Sequence, residues 1–172
     1  MYEFRPQRTN NRAQKLIMLL FLGAAALFVL TIPLEGLPFL WAIQLVAIVS
    51  LVAAIFLVTR YMTKAYEYAV SEEDGGADLT VVEVSSRGRR RITVCRVSCS
   101  GITGVKLVEG KDESLRAMRK AGRKIYDYRP DISPDRYLMV ETSEGGEELC
   151  LLFAYDEQFL RILETYCNGQ NI

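Results

Sequence analysis

The sequence predicts a membrane α-helical hairpin (two transmembrane helices) joined to a mainly-β domain of about seven antiparallel strands with a C-terminal helix. Three observations carry this. Residues 16–32 and 39–58 form two apolar runs without a charged residue. Beyond Arg60, short segments alternate apolar with polar residues between glycine-bearing turn signals. The last segment changes period, with Phe159, Ile162, Leu163 and Tyr166 recurring at helical spacing.

At about 1.5 Å per residue the two runs make helices of roughly 26 and 30 Å, against a bilayer core of roughly 30 Å. Only Glu35 carries charge in the connection Pro33-Leu34-Glu35-Gly36-Leu37-Pro38. Residues 39–58 hold thirteen Leu, Ile, Val or Phe, enough to outweigh Gln44 and Ser50 in transfer to lipid. A soluble domain of this size has too little core to wrap two helices apolar on every side. A cleavable leader is disfavoured too, because 32–36 lacks a small-x-small site and a second run follows at once. Arg5, Arg8, Arg12 and Lys15 precede the first run, Arg60 and Lys64 follow the second, and the turn has no basic residue. The positive-inside rule therefore predicts a multi-pass protein of the inner (plasma) membrane with both termini cytoplasmic. Trp41 and Tyr61 suit interfacial positions. Gly23-Ala24-Ala25-Ala26, Ala47, Ala53 and Ala54 offer small surfaces for close helix approach. With no ionisable group inside the runs, no transport path is indicated. The organisation read from this is 1–15 as a basic cytoplasmic N-terminus, 16–59 as the hairpin and 60–172 as a cytoplasmic domain.

Within that domain the alternation places strands at 65–70, 79–85, 89–97, 102–109, 124–128, 136–142 and 149–153. Glu72-Glu73-Asp74-Gly75-Gly76, Arg87-Gly88 and Glu144-Gly145-Gly146 read as turns. Residues 111–123 form a charged excursion with one helical turn at most. Asp156 is placed to cap the final helix, and Asn168-Gly169 to stop it. A helix of this kind covers apolar sheet surface that the strands alone leave open.

Two spans followed by Tyr66-Glu67-Tyr68, Gly88-Arg89-Arg90-Arg91-Ile92-Thr93-Val94 and Ile102-Thr103-Gly104-Val105 resemble the bacterial membrane-anchored pleckstrin-homology-like (PH-like) domain proteins. The resemblance spans about 61–167 and implies seven strands, a C-terminal helix and no active site. Eukaryotic relatives gather basic residues for inositol phosphates in the first inter-strand loop. This chain has Glu72-Glu73-Asp74 there, which argues against that ligand.

The chain has 21 basic and 21 acidic residues and no histidine, so the commonest general base is missing. A zero net charge gives no reason to invoke nucleic acid. No nucleophile elbow, phosphate-cradling glycine loop or metal-binding helix motif is present. The sequence predicts neither an enzyme nor a cofactor. Arg87, Arg89, Arg90, Arg91 and Arg96 are the candidate contact residues, for anionic headgroups or for a protein partner. The plainer reading of them is a solvated hairpin whose charges blunt a sheet edge. Arg116, Arg119, Lys120, Arg123 and Lys124 suggest a second basic patch, and Glu141, Glu144, Glu147 and Glu148 an acidic hairpin tip. Cys95 and Cys99 would lie about 13 Å apart on a regular strand, beyond disulfide reach. With Cys150 and Cys167 they are expected to be free thiols in a reducing compartment. The predicted function is a non-enzymatic integral membrane protein whose domain serves as a protein-interaction or assembly platform for a protein partner or a second copy. The alternative is a module that reads the lipid surface through the Arg87–Arg91 hairpin.

Overall fold

Small residues set where the apolar helices meet. In the computed structural model, residues 2–33, 39–73, 76–85, 88, 90–110, 115, 118–119, 122–144 and 146–168 are described, with backbone alone at Glu73, Glu144, Cys167 and Asn168. Arg12–Thr31 forms α1 and Leu40–Leu57 forms α2, which finishes in a π-helical turn, Val58–Met62. The two pack along their length within a compact unit, 10–64. Ala24, Ala47 and Ala54 are buried there. Ala47 and Ala54 lie seven residues apart, so they return to the same helix face. Large apolar side chains point the other way: Leu19, Val29, Trp41 and Phe56 are each 65–68% exposed. Polar side chains on these helices turn back on their own backbone. Ser50 Oγ donates to the Val46 carbonyl (2.8 Å) and Thr59 Oγ1 to that of Ile55 (2.9 Å), which satisfies both hydroxyls without solvent. Arg12–Thr31 and Leu40–Met62, of 20 and 23 residues, are long and apolar enough to cross a membrane. The connecting turn at 34–38 lies outside the described residues.

The second unit combines 1–9 with 65–172. It contains eight strands among the described residues, where the sequence predicts about seven. The additional one is β1, Tyr2–Phe4, which pairs antiparallel with β2, Lys64–Glu73, in the register Tyr2↔Val70 and Phe4↔Tyr68. Three residues are too few to show a period, and their partner lies more than sixty residues away, so only the tertiary fold reveals this strand. β3 (Gly76–Ser85) and β4 (Arg91–Ser98) complete the first sheet, in the order β1-β2-β3-β4. β4 carries a bulge: Val81 faces Cys95 and Val82 faces Thr93, so Val94 stands outside the register. A 3-10 turn, Cys99–Gly101, leads into β5, Ile102–Glu109.

The second sheet adds β6 (Lys124–Asp127), β7 (Arg136–Glu144) and β8 (Glu147–Ala154), in the order β5-β7-β8-β6. β6 runs parallel to β8, whereas the sequence predicts antiparallel strands throughout. Alternation specifies which face a residue takes and carries no information on strand direction. Helix α3, Glu157–Asn168, closes the unit, and Phe159 N–H donates to Asp156 Oδ1 (2.8 Å), making the predicted cap. The stop at Gly169 lies outside the described residues.

Tyr66, Tyr68, Leu79, Val81, Leu138, Val140, Leu151, Phe153, Phe159 and Leu163 form the main core. Tyr68 is its centre, with its ring within 6 Å of the Phe4, Phe153 and Phe159 rings. The Tyr68 hydroxyl donates to the Tyr128 carbonyl (2.8 Å) and accepts from Ala154 N–H (3.3 Å), so the phenol is buried without a loss of hydrogen bonding. On the second sheet, alternate residues Tyr137, Met139, Cys150 and Leu152 form a separate cluster under Leu115 and Met118. The charged excursion thus supplies an apolar lid, and that is why β7 and β8 are apolar on both faces.

Candidate functional site

The predicted arginine cluster divides. Arg87 and Arg89 lie outside the described residues. Arg90, which precedes β4, is exposed. Arg91 is the first residue of β4 and pairs with Glu67 of β2, while Arg96 pairs with Asp78 of β3 at 2.8 Å. Arg5, on the N-terminal arm, approaches the same Glu67 at 3.6 Å. The hydrogen bond to Glu67, then its charge, raises the Arg91 pKa further above its ordinary value. Two of the arginines assigned to the edge thus reach acids on other strands of the sheet, Arg96 on the neighbouring β3 and Arg91 on β2 beyond it. Ile92 and Val94 of β4 remain exposed, each at 39%.

The two other charged features meet. Arg123 contacts Glu141 (3.4 Å) and Glu148 (2.5 Å), Lys124 contacts Glu147 (2.5 Å), and Lys106 contacts Glu141 (3.3 Å). Arg123 and Lys124 of the basic run thus pair with Glu141, Glu147 and Glu148 of the acidic tip, read from sequence as separate patches, because the parallel pairing of β6 with β8 sets them side by side. Arg116, Lys120 and the Glu144 side chain lie outside what is described. Cys95, Cys99 and Cys150 form no disulfide among the described residues; the Cys167 side chain lies outside them.

The N-terminal arm makes a site that sequence reasoning does not reach. Tyr2 hydroxyl donates to Asp156 Oδ1 (2.7 Å), the atom that also caps α3. Phe4 packs on Tyr68 and Phe159. Thr9 donates to Asp131 Oδ2 through its N–H (2.9 Å) and its hydroxyl (2.6 Å), and Asp131 is buried. Between this arm and the loop 129–136 lies a cavity of about 500 Å³, lined by Phe4, Arg5, Pro6, Arg129, Pro134 and Tyr155 among others. Arg129 is immobilised beside it by a two-point contact with Asp127 (2.9 and 2.8 Å) and by stacking over the Tyr137 ring at 4.5 Å. The alternation Tyr2-Glu3-Phe4 was the signal available for this arm, and it is only three residues long.

Three tyrosines hold their protons more tightly than a free phenol does. Burial, then Asp156, raises the Tyr2 pKa; burial, then Cys95, raises that of Tyr128; and the hydrogen bond to Glu72, then burial, pushes Tyr166 up to about 12.

An apolar helix pair joined to two sheets and a closing C-terminal helix defines a PH-like protein with two possible membrane spans. The family described as "Bacterial PH-like domain (DUF6106)" matches residues 2–171. The chain belongs to that family. The match includes the N-terminal arm, which the structure shows to be part of the β unit. No curated protein and no solved structure matches the chain.

Proposed function

We propose that this protein is a non-enzymatic, membrane-anchored docking platform, with its PH-like domain in the cytoplasm beneath the inner membrane and a protein as its partner. The observation that carries the reading is the edge strand β4, which leaves Ile92 and Val94 exposed while Arg91 and Arg96 pair with Glu67 of β2 and Asp78 of β3. Tethering confines the domain to two dimensions and raises its effective concentration toward other membrane components. The basic residues flanking the apolar helices support cytoplasmic termini. The lipid-reading alternative has weaker support, since Arg91 and Arg96 spend their charge on Glu67 and Asp78.

Photo-crosslinking residues placed at Ile92, Leu107 and Tyr126 of the full chain in native membranes test the platform. A discrete protein adduct at one or more of them is the expected result. Lipid adducts alone, or none, would refute it. Release of the chain by alkaline carbonate, or cleavage of its β domain by protease added outside intact cells, would refute the placement. A fragment starting at Arg60 is unsuitable for such work because it lacks β1, Phe4 and Thr9.

A further inference from the structure

We propose that the end of the helix pair carrying Arg12, Lys15, Arg60 and Lys64 binds the headgroup of an anionic phospholipid; this rests on the membrane placement above. All four residues belong to the compact unit 10–64. Arg12 and Lys15 stand three residues apart at the start of α1, so they share a face, and both are exposed. Arg60 lies in the π-helical turn that finishes α2, Lys64 just follows it, and both are half-buried. From Thr31 back to Arg12 is nineteen residues, and from Leu40 forward to Arg60 is twenty. The helices pack along their length, so the two pairs of cations come to about the same level. In the π-helical turn Thr63 N–H donates to the Val58 carbonyl (3.1 Å), and Thr63 Oγ1 donates to the Thr59 carbonyl (2.7 Å) that a regular helix would give to that N–H. The hydroxyl keeps this carbonyl bonded where an apolar surrounding begins, and widened turns of this kind are frequent at functional sites. The Arg60 guanidinium stands over the Tyr61 ring at 5.2 Å. A cation and an aromatic ring thus sit together at the end of the span, the depth that both favour.

Position and charge together name the ligand. Lipid headgroups surround the end of any membrane-spanning helix pair. The only acid in 10–64 is Glu35, in the connection between the helices, so four cations and no acid of this unit mark the other end. Such a cluster favours headgroups of negative charge. A guanidinium has five N–H donors and an ammonium three, so a cation that serves a neighbouring group also has donors for a phosphate. The positive-inside rule sets orientation whatever the lipid species. The further claim is selectivity for an anionic headgroup over a zwitterionic one.

The test is native mass spectrometry of the full chain in mild detergent, titrated with phosphatidylglycerol or with phosphatidylcholine of the same acyl chains. The expected result is at least about tenfold tighter binding of phosphatidylglycerol, a preference that molar salt erases. Arg12→Gln with Lys15→Gln, and separately Arg60→Gln with Lys64→Gln, should each weaken phosphatidylglycerol binding about tenfold or more, since a near-surface cation is worth about fivefold. Far-ultraviolet circular dichroism should show the helices intact, and Arg12→Lys with Lys15→Arg should keep the preference. Arg90→Gln, on the arginine hairpin, should leave it unchanged. If a glutamine pair loses helicity, the salt dependence of the unmodified chain decides. Equal binding of the two lipids would leave these cations to an acidic protein segment and overturn the proposal. A preference that survives molar salt, displacement of the lipid by equimolar inorganic phosphate, or loss with Arg90→Gln as large as with the glutamine pairs would overturn it too. These outcomes sink the lipid site and leave the membrane placement standing. Release of the chain by alkaline carbonate sinks both.

Discussion

One carboxylate oxygen holds both the last helix and the first strand, and this makes a quantitative prediction. Asp156 Oδ1 accepts from Phe159 N–H at 2.8 Å and from the Tyr2 hydroxyl at 2.7 Å. Losing a helix cap costs about 1 kcal/mol. Losing a hydrogen bond to a charged group costs about 1.5–3 kcal/mol. Asp156→Ala removes both, so the β domain should lose about 2.5–4 kcal/mol, whereas Tyr2→Phe removes only the second and should lose about 1.5–3 kcal/mol. In a domain of this size the alanine variant should melt about 10 °C lower or more. The assay is thermal and denaturant unfolding of the full chain in detergent, followed by near-ultraviolet circular dichroism of the domain's tyrosines; the one tryptophan, Trp41, lies in α2 and leaves that signal clear. The decisive quantity is the coupling between the two substitutions, because Tyr2→Phe should cost little once Asp156 is gone. Fully additive effects would show that the arm does not close on the helix cap, and the argument would fail.

Asp131→Ala should free Thr9, which spends both its N–H and its hydroxyl on that carboxylate, and hydrogen exchange across residues 2–9 should accelerate while β7 and β8 stay protected. Gly101→Ala should destabilise the domain by about 1–3 kcal/mol in urea unfolding, since a Cβ there would stand 3.0 Å from the Ser143 carbonyl oxygen and 3.4 Å from Thr142 Oγ1. Arg123→Ala, which takes one partner from Glu141 and one from Glu148, should cost no more than about 1 kcal/mol, and molar salt should narrow its difference from the unmodified chain. Tyr166 binds its proton more tightly folded than unfolded, so its contribution to stability is present below about pH 10 and is lost as pH rises through about 12. Ultraviolet phenolate titration should show a late-titrating component that disappears in Tyr166→Phe.

The apolar helices, seven of the strands and the capped last helix were legible in the sequence because each is a local pattern. An uncharged run, a two-residue alternation and an aspartate ahead of a helical stripe describe their own neighbourhoods. β5 shows this well: its predicted and observed bounds coincide at Ile102–Glu109. Three features depended on residues far apart in the chain. Tyr2–Phe4 becomes a strand only because the edge of β2 is there to receive it. β6 runs parallel to β8, and this direction brings Arg123 and Lys124 to Glu148 and Glu147, joining two charged runs that composition alone presents as distinct. Arg91 and Arg96 find Glu67 and Asp78 on other strands of the sheet, pairings that the run of arginines in the sequence does not reveal. The amino-acid order by itself determined which segments are apolar, extended or helical, since those properties follow from near neighbours. Strand direction, charge pairing and the closure of the arm were decided by the tertiary structure, because each depends on which distant groups packing brings within a few ångströms.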